Sequence, residues 1–203
     1  MIVLVGVLRE RAAGECRVAA TPETVRKLLT RGAQVCVEAG AGAAARYPDA
    51  AYAEAGARIC SAADALAADV VLCVRRPADE AIAVMRAGAL LVGFLEPHAG
   101  RFDALAQGGL SALSVELIPR ISRAQSMDAL SSQANIAGYR AVLEATFHHR
   151  RFLPLMMTSA GTAKPSRVVI LGVGVAGLQA IATARRLGAQ VEEIGRASCR
   201  ERV

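Results

Sequence analysis

Tryptophan is missing from the 203 residues, and only three Tyr and four Phe represent the aromatics. No Lys/Arg run is interleaved with them, so a stacking, phosphate-tracking nucleic-acid surface is not expected. The formal charge of +6 does not argue for one. Residues 194–203 hold Arg196, Arg200 and Arg202 against Glu201, and the rest of the excess is dispersed. Long apolar runs are absent as well: the longest, residues 89–95 with Gly93 inside it, falls far short of the ~20 residues a spanning helix needs. MIVLVGV has no basic stretch before it and reads as a first strand, not a leader. The five cysteines form no C-x-x-C pair, which points to free thiols in a reducing compartment. His98, His148 and His149 lack metal-ligand spacing with Cys or carboxylates, so no metal site is expected. His148 and His149 read as a solvated pair at a helix C-terminus, where cations complement the dipole. There is no G-x-S-x-G, no P-loop and no solenoid repeat.

What is present is an Ala-, Val- and Leu-rich chain, 54% hydrophobic, in which strand-like and helix-like stretches alternate. Strands are expected over 1–7, 34–40, 57–60, 69–74, 89–94 and 110–117. Helices are expected over 21–32, 48–57, 61–68, 77–88 and 101–109. Thr21, Pro22 and Gly32 supply cap, first position and stop for the first helix. The near-continuous apolar strands suit a parallel sheet covered on both faces. After Glu116 the texture turns polar. A long helix follows over 132–152, with Ile136, Tyr139, Ala141, Val142 and Ala145 as its apolar stripe, then an irregular linker over 153–166, and then the alternation restarts. The expected organisation is α/β, two Rossmann-like doubly wound parallel-sheet domains with the second incomplete. The first covers 1–130, a linking helix 131–151, and the start of the second 152–193.

The restart carries the sharpest motif. Gly172, Gly174 and Gly177 form G-x-G-x-x-G directly after the strand 168–171, and Val175 stands inside it as the helix opens. The three glycines suit a tight turn, close approach of backbone to a pyrophosphate, and close helix–strand packing at a helix N-terminus. The acidic residue that would hold the ribose is expected about 20 positions on. Glu192 and Glu193 lie in or just after the next strand, but IGRASCRERV, residues 194–203, does not continue as a strand end or βα loop. That decapeptide resembles a translated sequencing adapter and is expected to be non-native, with the natural sequence ending near Glu192 or Glu193 and the cofactor domain cut short.

Three stretches, PRISRAQSMDALSSQANIAGYRAV, MMTSAGT and VVILGVGVAGLQAIATARRLGA, resemble the soluble NAD(H)-binding part of the α subunit of proton-translocating NAD(P) transhydrogenases. The N-terminal GVLRERAAGECRVAATPETVRKLLTRGAQVCVEAGAG is similar to the domain that family shares with alanine dehydrogenases. The resemblance implies hydride transfer between NAD(H) here and NADP(H) on a partner domain, coupled to proton passage through a membrane-spanning partner. It also implies a homodimer on the cytoplasmic face of a bacterial inner membrane. By the same resemblance Arg120, Gln125, Asp128 and Ser131 serve the nicotinamide end of the cofactor, with Gln125 positioning the ring. The residue types suit this: a guanidinium and a carboxylate for anchoring, an amide that both donates and accepts, and a hydroxyl for ribose or carboxamide.

An alanine dehydrogenase-like enzyme is the rival within the superfamily. Arg17 and Arg75 match the region of its carboxylate clamp, but its histidine position falls at Glu96, which would repel a carboxylate substrate and cannot act as an imidazole acid. His98 is out of register. For Arg17 and Arg75, ordinary salt bridges are at least as good a reading. A non-catalytic scaffold domain is the third possibility.

Overall fold

A computed structural model describes residues 2–195. The chain divides into two compact units, Met1–Gln125 and Ser126–Val203. The first is built on β1 (Leu4–Val7), β2 (Gln34–Glu38), β3 (Arg58–Cys60), β4 (Val70–Arg75), β5 (Leu90–Phe94) and β6 (Ser111–Ser114). All are parallel, in the order β3-β2-β1-β4-β5-β6. The strands run outward in both directions from β1 and β4, the doubly wound arrangement. Alternation along the strands makes two cores. Val5, Val7, Val35 and Val37 pack with Val25 and Tyr52 on one face. Cys36, Val71, Cys73 and Leu91 pack with Ala65, Ile82 and Leu105 on the other. Helices α1 (Pro22–Thr30) and α2 (Asp49–Glu54) supply the first set of partners, and α3 (Ala62–Leu66), α4 (Asp79–Ala83) and α5 (Asp103–Gln107) the second.

The local signals act as the residue types dictate. Thr21 Oγ1 accepts from the Thr24 amide at 3.3 Å, ahead of Pro22 at the first helical position. Ser61 and Asp64 form a reciprocal capping box on α3. Most elements are shorter than the sequence suggests, two of them by half or more. The last strand stops at Ser114 and passes into a 3₁₀ turn over Val115–Leu117, and the helix expected over 77–88 is confined to α4. Cys16, Cys36, Cys60 and Cys73 are free thiols.

The second unit comprises α6 (Ala129–His149), β7 (Met156–Thr158), β8 (Gly161–Ala163), β9 (Arg167–Leu171), α7 (Val175–Arg186) and β10 (Gln190–Ile194). β9 and β10 are parallel, joined through α7 as one βαβ unit. Three expectations are corrected. The stretch 153–166 is not wholly irregular, because β7 and β8 pair as an antiparallel hairpin. Thr158 Oγ1 closes its turn, accepting from the Ala160 amide at 3.2 Å. Of the stripe expected on α6 only Val142 is buried, together with Gly138, which the stripe did not include; Ile136 and Tyr139 are about half exposed, and Ala141 and Ala145 are exposed. Val142 meets Ala180 and Ala184 of α7, which explains the change, since a narrow seam between two helices needs only one small-residue line and not a broad apolar face. β10 runs through Ile194, paired opposite Leu171, so the strand extends past Glu192 and Glu193. Residues 196–203, most of the decapeptide expected to be non-native, lie outside the described residues.

Candidate functional site

The turn between β9 and α7 gives each glycine a different physical reason. Gly172 has φ 97°, a left-handed backbone that side chains disfavour. At Gly177 an added Cβ would lie 1.9 Å from the Gly172 carbonyl oxygen, so only glycine lets the helix close on the strand end. Gly174 has neither constraint. Its φ is −74°, and a Cβ built on it meets nothing within 4 Å. The chain itself has no use for glycine there; a ligand brought against the backbone would. Gly174 is the N-cap of α7 and no side chain caps the helix, so its first-turn N–H groups are available to an anion. These features fit the pyrophosphate of a dinucleotide.

Asp128 and Ser131 are joined at the start of α6. Asp128 is its N-cap: one carboxylate oxygen accepts from the Ser131 amide at 2.9 Å and the other from the Ser131 hydroxyl at 2.6 Å. Arg120 and Gln125 belong to the first unit. Gln125 stands in a 3₁₀ turn over Ser122–Met127, and both side chains are exposed. Glu192 lies inside β10 and pairs with Arg167, not at the strand end where a ribose-holding acid would stand. His148 faces Glu144 at 3.5 Å. His149 is exposed but not merely solvated, since its Nε2 lies 2.9 Å from Ser166 Oγ. Among the described residues no His/Cys/Asp/Glu group could hold a metal ion, and no helix is long and apolar enough to cross a membrane.

A second concavity, a cleft of about 570 Å³, opens where β1 and β4 end, at the reversal of strand order where open α/β sheets bind ligands. Part of its charge is engaged within the chain. Glu10 accepts from the amides of Val74 at 2.6 Å and Arg75 at 3.1 Å, and Arg76 pairs with Asp79 at 2.6 Å. Beside it the sequence-distant Arg17, Arg75 and Glu96 do come together, around a residue that no motif or spacing singles out. The Glu15 side chain is 6% exposed and binds Arg17 through both oxygens, at 2.7 and 2.6 Å, and Arg75 Nε at 3.3 Å. Hydrogen bonds from Arg17 dominate burial and hold the Glu15 carboxyl down at about 2. Glu96 lies 3.9 Å from Arg75 and 2.7 Å from Arg101. Its left-handed backbone, φ 53°, is held by Glu116, which accepts from the amides of Leu95 at 3.2 Å and Glu96 at 2.8 Å. The arginines that could clamp a carboxylate therefore already hold two from the chain itself.

The family model described as "Alanine dehydrogenase/PNT, N-terminal domain" matches residues 6–137, and the corresponding C-terminal domain matches residues 141–202. The chain belongs to the alanine dehydrogenase/PNT family. A subunit alpha polypeptide of the NAD(P) transhydrogenase of Rhodospirillum rubrum is 52% identical to this family member over 196 residues, covering 92% of this chain and 51% of the relative. The transhydrogenase structure from Sinorhizobium meliloti has a TM-score of 0.95 at 49% identity, over 98% of this chain and 61% of that one. An L-alanine dehydrogenase structure has a TM-score of 0.83 at 29% identity, over 97% of this chain and 62% of that one. The chain spans about half the length of the Rhodospirillum relative. Membership of this family implies nicotinamide nucleotide binding, and the Gly-rich turn is the part of the alanine dehydrogenase/PNT fold whose geometry here suits it.

Proposed function

We propose that the chain is the NAD(H)-binding part of a proton-translocating NAD(P) transhydrogenase. In this reading hydride passes between NAD(H) held here and NADP(H) held by a partner, coupled to proton passage through a membrane-spanning partner. The protein works as a homodimer at the cytoplasmic face of a bacterial inner membrane. The observation that carries dinucleotide binding is Gly174, a glycine that the chain's own packing and backbone do not require, at an uncapped helix N-terminus. Gly172 and Gly177 shape the turn, and the backbone through Val175 receives the pyrophosphate. Arg120 and Asp128 anchor the nicotinamide end, Gln125 orients the ring, and Ser131 offers a hydroxyl to the ribose or carboxamide. When bound, the cofactor supplies the hydride chemistry; the chain's task is to orient it and to exclude water, with no acid or base required.

The alanine dehydrogenase reading is disfavoured by Glu15 and Glu96. Both place carboxylates where a carboxylate substrate would have to be received. The test uses the full-length protein assembled with its NADP(H)-binding partner. Gln125→Asn is expected to slow single-turnover hydride transfer by up to about a hundredfold while NADH affinity changes far less, because a small displacement of the ring is costly. Wild-type rates for that variant would remove Gln125 from the site. Reductive amination of pyruvate by the wild-type protein would overturn the transhydrogenase reading.

A further inference from the structure

We infer that Gly138 is a positioning residue for the nucleotide turn. It seats α6 directly on the first turn of α7, so that α6 sets the spacing between the Asp128–Ser131 cap and the Gly-rich turn. The inference rests on the reading of that turn as a phosphate cradle. Gly138 is buried in the interior of a 21-residue helix, where glycine is among the poorest helix formers. A Cβ there would lie 2.1 Å from the Ala176 carbonyl oxygen, 2.8 Å from its carbonyl carbon and 3.0 Å from its Cα. All three are backbone atoms, so no side chain can swing aside to make room.

Ala176 stands between Val175 and Gly177, inside the motif. The peptide that meets Gly138 carries the Gly177 N–H, one of the first-turn amides of α7. The next residue is confined as well, since a Cβ on Gly177 would strike the Gly172 carbonyl oxygen at 1.9 Å. Neighbouring backbone atoms of the phosphate turn thus meet Gly138 of the helix and Gly172 of the strand end. Four residues on, Val142 continues the seam against Ala180 and Ala184. Seven residues back, roughly 10 Å along the axis, the Asp128–Ser131 pair fixes where α6 begins. The helix is a strut with the cap at one end and the turn seated on its middle.

In the full-length protein, Gly138→Ala is expected to weaken NADH binding at least about tenfold and to shift the amide resonances of Val175, Ala176 and Gly177. Ala176→Gly should not rescue it, because the obstruction is backbone. Val142→Ala, which loosens the seam without adding an atom, should lower stability and leave NADH affinity unchanged. Wild-type affinity in a folded Gly138→Ala protein overturns the inference, as does rescue by Ala176→Gly. Gly174→Ala separates the two claims. If it weakens NADH binding and Gly138→Ala does not, only the role of Gly138 fails; if neither variant weakens binding, the reading of the turn fails. Should Gly138→Ala not fold, hydrogen exchange in the wild-type protein decides. NADH is expected to slow exchange of the α6 amides around Gly138 together with those of Ala176 and Gly177, and protection confined to α7 overturns the inference.

Discussion

Glu15 and Arg17 stand two residues apart in a loop, yet the acid's other cation, Arg75, is 60 positions away. Adjacency in sequence shows the first contact and cannot show the second, which explains why the arginines were legible as candidates and their shared acid was not. The arrangement has a pH signature. The Glu15 carboxyl is held at about 2, below the ordinary value of about 4.3. Its contribution to stability is therefore present above the ordinary value and lost as pH falls from about 5 towards 2. Glu15→Gln should lower the urea midpoint of the first unit at pH 7, and the gap from wild type should narrow steadily to pH 3; a gap independent of pH would mean that the ion pairs contribute nothing. The glycines give a second contrast at this scale. Gly177→Ala should cost about 1–3 kcal/mol, because the added carbon meets a carbonyl oxygen. Gly174→Ala should change stability by no more than about 0.5 kcal/mol, since its Cβ meets only open space, while lowering NADH affinity in the full-length protein. Thermal melts alongside calorimetric titrations check both. The motif was readable because strand, turn and helix are contiguous, so spacing alone carries its geometry.

At the scale of elements, the parallel sheet of the first unit was legible because buried strands announce themselves as apolar runs and the first helix carries its cap at Thr21. Helix α6 was legible in length but not in orientation. Its apolar residues are spread around the axis, so periodicity selects no face, and the buried line is decided by which residues are small enough to approach α7. Hairpin β7–β8 was missed because its three-residue strands, Met-Met-Thr and Gly-Thr-Ala, are too short to show alternation. Val142 is the largest buried side chain of the α6–α7 seam, so Val142→Ala should destabilise the second unit by about 1–2 kcal/mol. The denaturant midpoint of that unit, followed by amide exchange in α7, measures it. A smaller loss than that of an exposed α6 variant such as Ile136→Ala would mean that the seam is not what holds the two helices together.

The two units differ in how much core they bury. The first closes two cores around six strands, whereas the second rests on a two-stranded parallel sheet and one small cluster around Val142, Ala180 and Ala184. A two-stranded sheet is marginal in water. Here it leaves Val169 52%, Leu171 78% and Ile194 61% exposed. A hollow of about 340 Å³ lies between α6 and β9, lined by apolar side chains including Val142, Val168, Ile170 and Ala180. Among the described residues β9 pairs only with β10, so its other edge presents open backbone groups beside these side chains, the combination that favours strand addition and self-association. The 203-residue chain is therefore expected to unfold in two steps, the second unit first, and to associate as concentration rises. Light scattering across a dilution series measures the association, and Leu171→Lys should suppress it; a chain that stays monomeric at high concentration would show that these faces are covered by other means. The same sparse packing bears on the cofactor. The Gly-rich turn and the Asp128–Ser131 cap offer few contacts against the cost of immobilising a dinucleotide. Calorimetric titration of the 203-residue chain with NADH should accordingly show no saturable heat. A clear isotherm would establish that the turn and the chain around it suffice for binding.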